Sequence, residues 1–134
     1  MIHGPWLAQA LATRLSGTTV KAMAVTSAHV ESPDTQFRSE LTDEITGTGY
    51  TAGGVAVSGV TSTYDATANR VKITCDVVDF GAVTAPDVAG VVFYIDTGNA
   101  ATDVVLSTDL FPAVEAEGAL SYQPSADGVM YIAV

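Results

Sequence analysis

Asp96-Thr97-Gly98 is the sharpest chemical signal in the chain. It follows the apolar run Val91-Val92-Phe93-Tyr94-Ile95. A carboxylate on such a turn, met by its copy from a second subunit, can share one proton with it. That is the acid–base pair of a dimeric aspartic protease, and it makes Asp96 the catalytic candidate. The loop falls late, with 36 residues after it, and no apolar pair followed by glycine comes downstream to brace it. Asp-Thr-Gly is also an ordinary turn after a strand, which needs no chemistry.

The glycine block Gly47-Thr48-Gly49-Tyr50-Thr51-Ala52-Gly53-Gly54 suggests a phosphate loop. Its spacing is G-x-G-x-x-x-G, however, and it leads into a strand pattern, so no helix N-terminus is there to receive a phosphate. The alternative is structural: glycines let the chain turn, or lie against another backbone where a Cβ would clash. Tyr50 is then an anchor, its ring on apolar surface and its hydroxyl on a polar partner.

Nucleophilic catalysis would need a histidine base, and only His3 and His29 are present. No serine sits in a G-x-S-x-G elbow, and the lone Cys75 falls on the apolar side of an alternating segment. The carboxylate pairs Asp76/Asp79, Asp43/Glu44 and Glu115/Glu117 lack calcium-loop spacing. The expectation is no catalytic residue, no metal and no cofactor, in a chain that works by presenting surface.

The elements that must position these residues are mostly strands. Residues 5–15 read as a helix, with Pro5 at its first turn, Arg14 in its last and Gly17 to end it. Trp6, Leu7, Ala10, Leu11 and Leu15 are expected on one apolar face. Thr18–Thr26 alternates weakly as a strand, and Thr35–Leu41 allows a second, short helix through Phe37 and Leu41. Val55–Tyr64 and Arg70–Val78 read as strands around the turn Asp65–Asn69, the second with Val71, Ile73, Cys75 and Val77 on one face. Gly90–Ile95 reads as a strand buried on both sides. Shorter strands follow at Val104–Ser107, Leu120–Gln123 and Val129–Val134, with turn signals at Glu117-Gly118 and Asp127-Gly128. This predicts a mainly β protein: an antiparallel sandwich or barrel-like sheet with an N-terminal helix and room for one more. A single β-rich domain over 1–134 is expected, residues 1–17 forming an N-terminal helical arm.

Charge narrows the partners. Fifteen acidic residues face five basic ones (Arg14, Lys21, Arg38, Arg70 and Lys72), a formal net charge of −10. Five scattered cations make no stripe for nucleic-acid phosphates, and an anionic membrane surface would repel the chain. One cysteine allows no internal disulfide. No basic stretch precedes the first apolar residues, so no export signal is read.

Three blocks, in order, resemble a family of small virion structural proteins of tailed bacteriophages. The first is Glu44-Ile45-Thr46-Gly47-Thr48-Gly49-Tyr50-Thr51-Ala52-Gly53-Gly54, similar to an E-(V/I)-x-G-x-G-Y-x-x-G-G signature. The second is the apolar strand ending in Asp96-Thr97-Gly98. The third is Tyr122–Met130 with its Asp-Gly turn, where Gln123-Pro124 stands in place of a tryptophan carried by many members. The resemblance implies a non-enzymatic decoration (cement) protein on the capsid exterior, made in the host cytoplasm. Its implied partners are the major capsid protein and further copies of itself in a homotrimer; a tail or head–tail junction role is the neighbouring alternative. Trp6, Tyr50, Gly47, Gly49, Gly53 and Gly54 are the interface candidates, since aromatic residues dominate hot spots and bare backbone can pair.

Overall fold

A computed structural model describes residues 1–134. The fold is mainly β, with two antiparallel sheets and one N-terminal helix, and no barrel closes. The helix α1 spans Gly4–Leu15. Seven strands follow: β1 Thr19–Val25, β2 Val55–Ala56, β3 Thr61–Asp65, β4 Arg70–Thr74, β5 Val78–Asp96, β6 Val104–Tyr122 and β7 Met130–Ala133. The larger sheet has the order β2-β1-β5-β6 and the smaller β3-β4-β7.

Both sides of the larger sheet are apolar where β1 meets β5, in register from Thr19↔Asp96 to Val25↔Gly90. Val20, Ala22 and Ala24 join Val91 and Phe93 in the main core, onto which Ile45, Val78, Phe80 and Val83 also pack. Met23, Val25, Val92 and Tyr94 face the other way, against Leu41 and Val105. Gly90–Ile95 is therefore buried on both sides, as its unbroken apolar run predicts.

The two long strands expected over Val55–Tyr64 and Arg70–Val78 are instead corners where the chain changes sheet. β2 lies in the larger sheet and β3 in the smaller; β4 lies in the smaller and β5 in the larger. The corners clasp each other: Asp76 N–H donates to Ser58 O (3.0 Å), and Ser58 Oγ donates to Asp76 Oδ2 (3.1 Å). Because the chain turns there, the alternation of β4 does not carry through. Val71 and Ile73 are buried, Cys75 is half-buried, and Val77 is 50% exposed.

β5 and β6, each 19 residues, form one ribbon where shorter strands were expected. The Glu117-Gly118 turn signal lies inside it, paired with Thr84 and Val83. The ribbon absorbs such residues as irregularities in register, at Asp79/Gly81, Ala85/Val88, Val88/Gly90 and Phe93/Tyr94, and Pro86 sits in the second of them. The predicted turns at Asp65–Asn69, Asp96–Asn99 and Asp127-Gly128 all stand between or beside strands.

The helix expected over Thr35–Leu41 is a single 3-10 turn, Arg38–Glu40. Phe37 is extended and bridges to Val104, while Glu40 Oε2 accepts the N–H groups of Gln36 (2.9 Å) and Phe37 (2.6 Å). Pairing with β6 holds the segment out of the α conformation.

α1 packs on β3 and β4. Gly4 and Ala8 are buried and Leu7, Leu11 and Leu15 half-buried, but Trp6 is 63% exposed. Two residues from Gly4 and from Ala8, it lies about 200° round the helix from both, so it points away from the sheet. The predicted apolar face is corrected accordingly: Trp6 is not part of it. Helix and sheet approach closely at Gly4, where a Cβ would stand 2.2 Å from the ring of Tyr64.

Candidate functional sites: a polar knot and an exposed apolar layer

The glycine block is a loop tied to the core by side chains. Glu44 precedes Ile45, which is buried and donates its N–H to Ala24 O (3.0 Å). That placement aims the Glu44 carboxylate back across the loop. Its Oε2 accepts both the Tyr50 hydroxyl (2.7 Å) and the Gly53 N–H (2.7 Å). The Tyr50 oxygen in turn accepts the N–H of Ala24 (3.1 Å) at the edge of β1. Burial first, and the hydrogen bond to Glu44 second, push the Tyr50 phenol well above its ordinary pKa.

Three glycines are required by the approach of other backbone, the first being Gly47, where a Cβ would lie 2.2 Å from Thr84 O. Gly49 has φ +85° and a Cβ there would lie 2.0 Å from Ala82 O; Gly54 has φ +80° and a Cβ would lie 1.8 Å from Ala22 O. Gly53 completes the block, beneath Tyr94. The block thus closes the larger sheet along β1 and β5, with Thr84 N–H donating to Thr48 O (2.9 Å). No phosphate cradle is formed, because the chain continues into β2 and not into a helix.

The knot extends through Tyr94, whose hydroxyl donates to Gly53 O. The Arg38 guanidinium lies over the Tyr94 ring, 5.0 Å from its centroid, and its Nε donates to Asp103 Oδ2 at 2.7 Å. Asp103 is 0% exposed. Its other oxygen accepts the N–H (2.7 Å) and the hydroxyl (2.9 Å) of Thr97. Burial alone would raise the Asp103 pKa, but the Thr97 groups and the Arg38 guanidinium outweigh it and hold the carboxyl below its ordinary value. Tyr94 is pushed up to about 12, chiefly by burial, against the opposing pull of Arg38.

Asp96, the catalytic candidate, is occupied otherwise. Its Oδ1 accepts the N–H of Gly98 (3.0 Å) and its Oδ2 pairs with Lys21 Nζ (3.2 Å). The Asp-Thr-Gly turn thus orients Thr97 toward Asp103 and ties its own loop to β1. Cys75 is half-buried, with its thiol pKa raised by burial and then by the charge of Asp76. His29 lies in the segment after β1, away from the knot's bonds.

The structure therefore brings Tyr50, Gly53 and Gly54 together with Glu44 and the backbone of β1, and places Trp6 apart from them on the outer face of α1. Sequence reasoning singled out Asp96 and missed Asp103 and Arg38. A signal was available: Arg38 is the only cation in a polar, acidic segment, and Asp103 stands directly before an apolar strand. Such a carboxylate is buried if a cation reaches it.

The second feature is an uneven surface. The layer made by residues 1–15, 61–74 and 125–134 contains α1, β3, β4 and β7. It carries three basic side chains (Arg14, Arg70, Lys72) against two acidic ones (Asp65, Asp127), a formal +1. The rest of the chain carries two basic against thirteen acidic, a formal −11. Two of the three cations of the small layer are engaged: Arg70 pairs with Asp127 (2.9 Å) and lies 4.4 Å over the Tyr131 ring, and Lys72 pairs with Asp65 (2.8 Å). Six of the ten exposed large apolar residues belong to this layer: Met1, Ile2, Trp6, Tyr131, Ile132 and Val134. That is more than half of them on under a third of the chain.

In comparisons with protein-family models, with curated proteins and with solved structures, nothing matches this chain.

Proposed function

We propose that the chain is a non-enzymatic structural protein of a tailed-bacteriophage virion. Within it the role is that of a capsid decoration (cement) protein, bound to the outer surface of the major capsid protein and self-associated as a homotrimer. One observation carries the reading: Trp6 and five other large apolar side chains are exposed on a nearly neutral layer, while thirteen of the fifteen acidic residues lie elsewhere. A molecule so polarised suits attachment by its neutral pole, with the acidic pole facing solvent and keeping crowded copies apart. Binding assembled shell better than free subunits then stabilises the shell by mass action. The three sequence blocks support the virion context, and the polar knot holds the larger sheet together behind the apolar layer.

Tyr50 and the glycines have intramolecular roles in the fold, so Trp6 is the interface candidate with the most free surface. The protease alternative is disfavoured by Lys21, which occupies Asp96 and opposes the sharing of a proton. Mass spectrometry of heads and tails separated from purified particles tests the proposal. Copies in simple ratio to capsid protein are expected in heads. Recovery in tails alone would shift the reading to a tail component, and absence from both would overturn it. Sedimentation of the isolated protein checks the trimer.

A further inference from the structure

β6 is an edge strand with a cleft on each side of it. Its only strand partner is β5. At its start the free edge is met by Gln36, whose carbonyl accepts the Val105 N–H (3.0 Å), and by the bridge from Phe37 to Val104. Beyond Val105 no segment of the chain pairs with that edge. One groove runs between Val105–Thr108 and a wall formed by His29, Pro33 and Leu41. The other runs between Ser107–Asp109 and a wall formed by Asp127, Val129 and Tyr131. Leu41 and Val105 belong to one side of the larger sheet and Val129 to the other, so the grooves flank the edge on opposite faces.

From this geometry we infer that β6 takes an extended, basic peptide segment of a partner protein as an added strand, continuing the pairing that Gln36 and Phe37 begin. An added strand sends alternate side chains to opposite faces, and here each face offers a groove to receive them. Two side-chain atoms at the clefts are buried and without a partner, His29 Nε2 and Ser107 Oγ. Such atoms call for a partner, but three more lie away from the clefts (Ser62 Oγ, Arg70 Nε and Asp87 Oδ1), so it is the free edge and its grooves that carry the inference. The preference for basic residues follows from charge. The residues lining the two grooves include Glu31, Asp109 and Asp127 but no lysine or arginine; Asp127 is already paired with Arg70 and Lys72, whereas Glu31 is exposed and neither Glu31 nor Asp109 has an ion pair. A second copy of this chain, at −10, is the wrong occupant by the same argument.

The inference concerns the edge of β6, which meets the Trp6 layer only at the groove wall of Asp127, Val129 and Tyr131, and it stands without the virion reading. Its test is titration of the intact protein with a short peptide of alternating valine and lysine, followed by amide NMR. Shifts are expected to concentrate at Leu106–Leu110, with smaller ones in Ser32–Leu41 and Val129–Tyr131. An N-methylated version, unable to pair its backbone, and a valine–aspartate version should each bind about tenfold more weakly or worse, the second difference shrinking with salt. Glu31→Lys, at an exposed position, should weaken the lysine peptide about threefold while leaving the fold intact. Equal binding of all three peptides, shifts confined to β3 or β7, or self-association through β6 in sedimentation would each overturn the inference.

Discussion

The two layers of this molecule solve the same problem, covering an antiparallel sheet, by opposite means. The larger sheet buries apolar residues on both sides where β1 and β5 meet, and ties its outer loops down with the knot from Glu44 to Asp103. The smaller sheet has α1 over β3 and β4, and leaves Ile132 and Tyr131 on β7 exposed. Its polar side chains form ion pairs at the surface, where such pairs contribute little. The difference teaches where rigidity resides. Buried charge with complete hydrogen bonding fixes one layer, and the other is left apolar and available for contact.

Breaking the knot should have the largest effect. Asp103→Asn removes the buried carboxylate that the half-buried Arg38 guanidinium and Thr97 share, at a cost of about 3 kcal/mol in urea unfolding. Replacing both partners with apolar residues should recover much of that loss. A full loss in the double variant would show that the segment's path, and not the charge pair, matters.

Gly54→Ala comes next. It forces a left-handed φ on a residue with a Cβ and drives that Cβ into Ala22 O, so a loss of about 2 kcal/mol or more is expected in the same assay. An Ala at Gly17, also at positive φ but with nothing within 4 Å, should cost about 1 kcal/mol.

Acid acts on the knot through Asp103. The Asp103 pKa is depressed on folding, so its contribution is fully present above the ordinary carboxylate value of about 3.9 and is lost as pH falls through the lower folded value. Thermal unfolding followed from pH 7 downward should therefore show a decline below about pH 4. Asp103→Asn should lack the part of that decline that belongs to this site.

Trp6→Ala sharpens the comparison from the other side. Its effect on stability should stay within about 0.5 kcal/mol, because the side chain faces solvent. Its effect on binding to capsid shells lacking the protein should reach about 2 kcal/mol, read as occupancy after pelleting. A large stability loss with unchanged binding would place Trp6 in the scaffold. Smallest of all, Lys72→Met removes two surface ion pairs and should shift stability by about 0.5 kcal/mol or less.

Much of this arrangement was legible in residue order. The helix, the doubly buried Gly90–Ile95 and the turns at Asp65, Asp96 and Asp127 each announce themselves within a few residues, because each depends on local pattern. The sheet-changing corners do not. Val55–Tyr64 and Arg70–Val78 alternate as strands should, and only the clasp of Ser58 with Asp76, eighteen positions apart, bends them. The knot was half visible. Glu44, Tyr50 and the glycines stand in one short block, whereas Arg38 and Asp103 meet across 65 positions. The outward turn of Trp6 was misread because its apolar character suggested the core, while Gly4 and Ala8, with less to bury, take the inner face.

The ribbon of β5 and β6 also bears on how the chain lets go of its structure. Its strands are neighbours in sequence, joined by the connection from Thr97 to Thr102 and Asp103, so zipping them together closes only a small loop. β7 must instead find β4 across most of the chain's second half, with Ile73 opposite Met130, and gains only a four-residue register in return. Hydrogen exchange under native conditions should accordingly find β7 opening by fraying, at low free energy, and the Val91–Ile95 amides exchanging only through global unfolding. The apolar pole would then be the pliable end of the molecule, firming up as it docks.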